Sequence, residues 1–311
     1  ASAARCWHEM QSTCGAWISD WLSGDTMEGK QKGLAALACI ASSARDVALH
    51  IAQQDDVLDE VLNLAQAYKF EDAQMCAAEL CAHLASDDPA KSFNPLGGIA
   101  ALRQLSAHQN ARIAVRAVTA LAKLASVNAT HRLRVLSDGR VGERVIAALG
   151  SEGEHAEELR SWAVEAMAYL SLYPEVKEPF EETLGMAHLV QMLNTEVERH
   201  SRDEQADDED GPAAKQDVSG FVARGTTQFG LVSIICNLTS TELTKDEQIR
   251  RKLLEQGQEA TVEQVEKLRK LSECKDPNDE AFQEPPEKLT DPKIIDRMRC
   301  TVVAENGVAA I

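Results

Sequence analysis

Thiols, imidazoles and paired carboxylates are the groups in this sequence that could do chemistry, and their spacing decides which chemistry is open to them. Cysteine occurs eight times, at Cys6, Cys14, Cys39, Cys76, Cys81, Cys236, Cys274 and Cys300. A zinc site needs four thiolate or imidazole ligands delivered by closely paired spacings. These cysteines fall mostly inside apolar helical patterns instead, so they read as buried thiols, a usage that suits a reducing cytosol better than a secreted disulfide framework. The triplets Asn128-Ala129-Thr130 and Asn237-Leu238-Thr239 then read as accidental rather than as glycosylation acceptors. The eight histidines are dispersed, and His83 and His188 occupy repeating helical positions where a structural role outweighs metal binding. Glu157-Glu158 and Glu181-Glu182 read as solvated faces rather than acid/base pairs. Phosphate-cradling glycine loop, nucleophile elbow, HExxH and EF-hand loop are all missing from the sequence. No catalytic, cofactor-binding or metal-binding residue is nominated, and the expectation is a non-enzyme without cofactors.

The elements that must position these side chains are helices. Hydrophobic residues make up 44% of the chain and aromatics only 4%, with alanine and leucine prominent, which favours close-packed helices over strands. A chain of 311 residues is long for one ordinary domain. A repeat array escapes that limit because each unit buries its core only against its neighbours. Lys plus Arg number 32 against 50 Asp plus Glu, a formal charge of -18, and no basic stripe interrupts it, so no nucleic-acid partner is expected. The longest apolar runs, such as Gly33 to Ala41, fall far short of the roughly 20 residues that cross a bilayer. Neither a membrane span nor a signal peptide is read, and a cytoplasmic location is expected; Ala1 need not be a natural start.

One short pattern recurs down the chain: Leu37-Ala38-Cys39-Ile40-Ala41-Ser42, Leu80 to Ser86, Leu121 to Ser126, Met167-Ala168-Tyr169-Leu170-Ser171 and Ile235-Cys236-Asn237-Leu238-Thr239-Ser240. Each reads as the end of a long helix. Aligning Ile40, Leu84, Leu124, Leu170 and Leu238 gives separations of 44, 40, 46 and 68 residues. The first three match armadillo or HEAT periods of about 40–47 residues and exclude the tetratricopeptide period of about 34. A second marker, seen as Gly98 to Leu102, Gly185 to Leu189 and Gly307 to Ile311, with looser versions ending at Val61 and Val145, precedes these helix ends. The gaps from marker to helix end are 23, 22, 25 and 49 residues, so only the fourth is interrupted. Two markers holding one phase predict an all-α solenoid of about five repeats forming a superhelix. Apolar stripes such as Val115, Val118, Leu121, Leu124 and Ala125, or Leu231, Ile234, Ile235 and Leu238, supply the buried faces. Glycines before the second marker would allow tight turns.

These markers divide the chain into an array over 1–240, a charged helix with a proline-containing linker over 241–296, and the start of a further repeat over 297–311. Trp7, Trp17 and Trp21 read as packing residues of a preceding repeat or cap. The surplus of the interrupted repeat is an acidic insertion at about 195–222, too charged to bury apolar surface, and it is expected to be a solvated, partly disordered loop. An array does not normally end on half a repeat, so the sequence reads as a piece of a longer chain.

Armadillo proteins that carry nuclear import signals resemble one another in a tryptophan followed four residues later by asparagine on successive third helices. Here Ala166 follows Trp162 at that spacing. Asparagine stands at the helix-end position only in Asn237, where the other repeats have Cys39, His83, Lys123 and Tyr169. A sharper likeness lies in Arg160-Ser161-Trp162-Ala163-Val164-Glu165-Ala166-Met167-Ala168-Tyr169-Leu170-Ser171-Leu172 with Pro174-Glu175-Val176-Lys177-Glu178, which resembles a repeat of the UCS-family myosin chaperones. Val232 to Ser240, Arg297-Met298-Arg299 and Ala304 to Ile311 agree with that family in order. The resemblance covers roughly 160–311, while the first half is similar only to generic armadillo repeats. It implies a co-chaperone that helps myosin motor domains fold. The implied client groove lies mainly in repeats following Ile311. Heat-shock chaperones would be recruited by a tetratricopeptide module that these residues do not contain. No partner-binding residue can be carried over to a position here, and a generic armadillo adaptor for another protein is the alternative.

Overall fold

A computed structural model describes residues 2–43, 57–67, 69–85, 95–127, 129–137, 139–171, 173–207, 218–240 and 291–305. Among these residues all regular structure is helical. In chain order the helices are α1 (Ser2–Ser23), α2 (Met27–Ser43), α3 (Val57–Ala65), α4 (Glu71–Leu84), α5 (Pro95–Ser106), α6 (Ala111–Val127) and α7 (Ala129–Leu136). They continue as α8 (Arg140–Leu149), α9 (Ala156–Leu170), α10 (Pro174–Thr183), α11 (Gly185–Asp207), α12 (Val218–Thr239) and α13 (Pro292–Ala304).

The five long helices α2, α4, α6, α9 and α12 are the third helices of successive repeats, and each packs on the next. Shorter helices pack behind them, α3 on α4, α5 on α6 and α8 on α9, while the longer α11 packs behind α12. Local sequence explains several boundaries. The Asn110 side chain accepts a hydrogen bond from the Arg112 N–H at 3.0 Å, capping α6, and Pro174 opens α10 where its missing N–H costs nothing. Gly185, at φ +72°, makes the sharp turn from α10 into α11 that an L side chain would resist. Gly98 lies inside α5 and makes no such turn.

The repeat phase read from the sequence is the phase of the core. Leu84, Leu124, Leu170 and Leu238 are buried to within 1% of complete, Val61 and Val145 completely, and Ile40 is packed in part against the same core. Each such aliphatic side chain removed from water contributes about 1.5–3 kcal/mol. Alanines at 77, 78, 117, 120, 122, 163 and 166 are likewise buried and let the third helices approach closely. At Gly230 the approach is closer still, since a Cβ there would lie 2.5 Å from the Cγ1 of Val164 on α9. Val164 is β-branched and 2% exposed, so it has little room to yield.

The fold departs from the sequence expectations at four places. Trp17 and Trp21 are 57% and 39% exposed, because α1 turns Ile18 and Leu22 inward instead; the side chain of Trp7 lies outside the described residues. Of the cysteines described, only Cys81 is fully buried, whereas Cys39, Cys236 and Cys300 are exposed. For Cys39 and Cys236 the cause is register, since they sit beside the leucine seam rather than in it. The acidic insertion is not all loop, for α11 continues through 195–207 and α12 begins at Val218, with 208–217 outside the described residues. A long helix there satisfies its own backbone without needing an apolar core on every side. Finally, Pro292 belongs to α13 rather than to a linker. Asp291 caps it by accepting the Lys293 N–H at 2.9 Å, and Ile295, Met298 and Val302 are buried. The charged stretch 245–274 and the marker Gly307 to Ile311 lie outside the described residues.

Candidate functional site

One face of the third helices carries its side chains in register from repeat to repeat. Immediately before the leucine seam stand His83, Lys123, Tyr169 and Asn237; four residues earlier come Glu79, Thr119, Glu165 and Ser233; seven earlier come Cys76, Arg116, Trp162 and Gly230. In a helix, residues three, four and seven apart share a face, so these rows form rungs between neighbouring helices.

Charge alternates along the rungs: α6 is basic and its neighbours α4 and α9 are acidic. Arg116 donates through Nε to Glu79 at 3.0 Å and through Nη2 to Glu158 at 2.6 Å, with only 7% of its side chain exposed. Arg112 donates through Nε to both oxygens of Glu158, at 3.1 and 2.9 Å. Lys123 reaches Glu165 on one side at 2.7 Å and donates to the Ala82 carbonyl on the other at 2.7 Å. The Arg116 guanidinium also lies 5.2 Å from the centroid of the Trp162 ring, within cation–π range. His83 meets the same ring in a T-shaped contact at 5.6 Å. Polar groups complete the stitching. Thr119 Oγ1 is 3.0 Å from the Trp162 carbonyl, and the Asn237 amide donates to the Ala168 carbonyl and Ser171 Oγ at 3.2 and 2.9 Å.

This arrangement sets protonation. Burial alone would raise the Glu158 carboxyl, but hydrogen bonds from Arg116 and Arg112 outweigh it and hold the group below the usual range. Burial lowers His83, with the Lys123 charge adding to the effect, so the ring prefers to be neutral. A histidine whose folded value is depressed costs the fold nothing above its unfolded value of about 6.5, and stability is lost progressively as pH falls from there through the folded value. The urea midpoint is therefore expected to fall between pH 7.5 and pH 5.5, and His83→Gln is expected to flatten that slope. An unchanged slope in the variant would assign the acid sensitivity elsewhere.

The residues singled out from the sequence fall into place unevenly. His83 packs edge-on against the Trp162 ring. Glu157 is solvated, with its side chain 80% exposed, but Glu158 is not: both of its oxygens are held by arginines. Glu182 is exposed, whereas burial raises the Glu181 carboxyl and leaves its Oε2 without a hydrogen-bond partner. His188 is half-buried, with Nε2 similarly unpartnered. Among the described residues no three His, Cys, Asp or Glu side chains group as metal ligands, and no helix is long and apolar enough to cross a membrane. Sequence reasoning misses the arginines and lysine of α6. The signal available is opposite charge at equivalent register on successive third helices, Arg112 against Glu158 foremost.

An open cleft of about 510 Å³ lies at one edge of this face, between the start of α9 and the facing parts of α11 and α12. Glu154, Glu157, Glu158 and Glu196 give it carboxylates, Arg160 and His155 add a guanidinium and an imidazole, and Trp162 and Met192 give it an apolar wall.

No family model matches the chain. Among solved structures, a designed armadillo repeat protein is similar at a TM-score of 0.50 and 18% identity, over 93% of this chain and 98% of its own. An engineered protein is similar at a TM-score of 0.50 and 17% identity, over 94% and 95%. At such identities the likeness is one of fold. The chain is an all-α, armadillo-type solenoid.

Proposed function

We propose that this chain is a protein-binding scaffold, and specifically the central repeat region of a cytoplasmic UCS-type co-chaperone that helps myosin motor domains fold. The observation that carries the scaffold reading is the continuous face built by α2, α4, α6, α9 and α12, whose extent grows with every repeat stacked. The myosin reading is supported by the UCS-like segment 160–178. It forms most of α9 and the start of α10, and its Trp162 is the hub between Arg116 and His83. A heat-shock chaperone partner follows from the same resemblance. The generic adaptor reading, in which a polar ladder holds an extended peptide backbone, is less well supported. Lys123 and Asn237 already donate to the backbone of neighbouring third helices.

Suppression of heat aggregation of a myosin motor domain, followed by light scattering near physiological salt, tests this function. A parent chain with the repeats that the resemblance places after Ile311 should protect strongly, and residues 1–311 alone weakly, because contact area scales with repeat number. Acidic attraction alone fades where the screening length is about 8 Å. Equal protection of an unrelated aggregating protein would indicate a generic acidic holdase, and no protection by the parent chain would sink the myosin assignment.

A further inference from the structure

No basic stripe is visible in the sequence, yet the fold gathers a basic surface from residues spread between 103 and 144. Over 95–149 the chain has eight Lys or Arg against two Asp or Glu, whereas the remainder has 24 against 48. Three of the eight, Arg112, Arg116 and Lys123, turn to glutamates on the neighbouring third helices. The other five, Arg103, Arg132, Arg134, Arg140 and Arg144, stand on α5, α7 and α8, all of which pack on α6. Within these three helices Glu143 is the one acid.

Two of these arginines fix the surface and three face out from it. Arg103 is half-buried and donates through Nη1 to the Arg134 carbonyl at 3.0 Å, joining the last turn of α5 to α7. The Arg132 guanidinium lies 4.5 Å from the centroid of the Tyr173 ring and so holds α7 to the junction of α9 and α10. Between α7 and α8 the turn is closed by the Gly139 N–H, which donates to the Leu136 carbonyl at 3.1 Å. Arg134, Arg140 and Arg144 are exposed around that corner. On α8, Arg140 and Arg144 stand one turn apart on one face, opposite the buried Val141, Val145 and Leu149. The cations are thus carried by helices already held in place, and an incoming anion meets little backbone reorganisation.

Size and surroundings select the anion. The 10 residues of α8 span about 15 Å at about 1.5 Å per residue, so about six extended residues cross the surface. A long phosphate backbone or an anionic membrane extends well beyond that width and meets the acidic remainder of the chain, which repels it. A short run of carboxylates fits inside the basic surface, and guanidinium groups pair with carboxylates in fixed two-bond geometry.

We propose that the corner of α7 and α8 docks a short acidic segment of a partner protein, with Arg134, Arg140 and Arg144 pairing to its carboxylates. This surface lies on helices other than the third helices of the repeats. The inference deepens the scaffold reading by adding a second contact of opposite charge, and it does not depend on which client the stacked face holds.

The probe is hexaglutamate, amidated at its C-terminus and carrying an uncharged dye at its N-terminus, titrated with the 311-residue chain at low salt and followed by fluorescence anisotropy. Saturable binding is expected for hexaglutamate and none for hexaglutamine, with affinity falling as salt rises to physiological strength. Arg144→Gln should weaken binding about threefold, and Arg134→Gln with Arg144→Gln about tenfold. Lys32→Gln, which removes an exposed cation on α2, should leave it unchanged. Circular dichroism checks that each variant is folded, and the single variant serves if the double one is not. Absence of hexaglutamate binding, an equal loss in Lys32→Gln, or undiminished binding in Arg144→Gln overturns the proposal. Tighter binding of a 12-nucleotide oligothymidylate or of phosphatidylserine vesicles than of hexaglutamate likewise overturns it in favour of a phosphate ligand. The aggregation assay repeated with the double variant in the parent chain separates the two readings. Lost peptide binding with full client protection supports a second, separate surface, whereas loss of both would place the arginines in client holding and overturn that separation. Peptide binding without client protection by the unaltered parent chain would count against the myosin reading alone.

Discussion

Arg116→Ala is expected to lower stability by about 3 kcal/mol, more than the loss of an exposed ion pair would. Exposed pairs contribute about 0–1 kcal/mol because water solvates the separated charges nearly as well. Arg116 is different in burial and in the number of groups it serves. Only 7% of its side chain meets solvent, and it bridges Glu79 on α4 to Glu158 on α9 while lying over Trp162. Its removal leaves two partly buried carboxylates under-paired, and breaking a buried pair from one side costs about 3–5 kcal/mol. Glu79 and Glu158 are 34% and 28% exposed, so water recovers part of that and the lower end applies. Arg116→Lys should recover little, because one ammonium cannot span both acids and stack on the ring. Equilibrium urea unfolding at pH 7 measures both variants. A loss below about 1 kcal/mol for alanine would mean that the network is as well solvated as a surface pair.

Leu124→Ala is expected to cost about 2–5 kcal/mol through lost transfer free energy and the cavity left in a close-packed seam. Leu124 is 1% exposed and lies on α6, which packs against the third helices α4 and α9 and also against α5, α7 and α8. A void there loosens two repeat interfaces at once, so unfolding should begin near the middle of the array rather than at an end. Leu124→Met, which nearly conserves volume, should cost less than about 1.5 kcal/mol. Hydrogen exchange should show faster opening of α6 and α9 in the alanine variant. An unchanged urea midpoint for Leu124→Ala would show that the seam carries less of the stability than its burial implies.

The family likeness and the fold bear on different questions. The armadillo architecture provides the stacked face, whereas the proposed partner is decided by the aggregation assay above.

Helical class, repeat phase and the seam of leucines were legible in the chain by itself. These depend on spacing within one helix, and a period of 3.6 residues is written locally, as in Val118, Leu121 and Leu124 with Ala125, all of them buried. The partners of Arg116 were not legible, because Glu79 and Glu158 lie 37 and 42 residues away and only the rotation between stacked repeats decides that they meet. Exposure at Trp17, Cys39 and Cys236 was set in the same way, by which side of a helix the neighbouring repeat covers. The cleft belongs wholly to the tertiary structure. Its walls come from the start of α9 with α11 and α12, and no pattern within one helix fixes the distance from Glu157 to Arg199. That distance follows from how the three helices pack, including how closely Gly230 lets α12 settle against Val164.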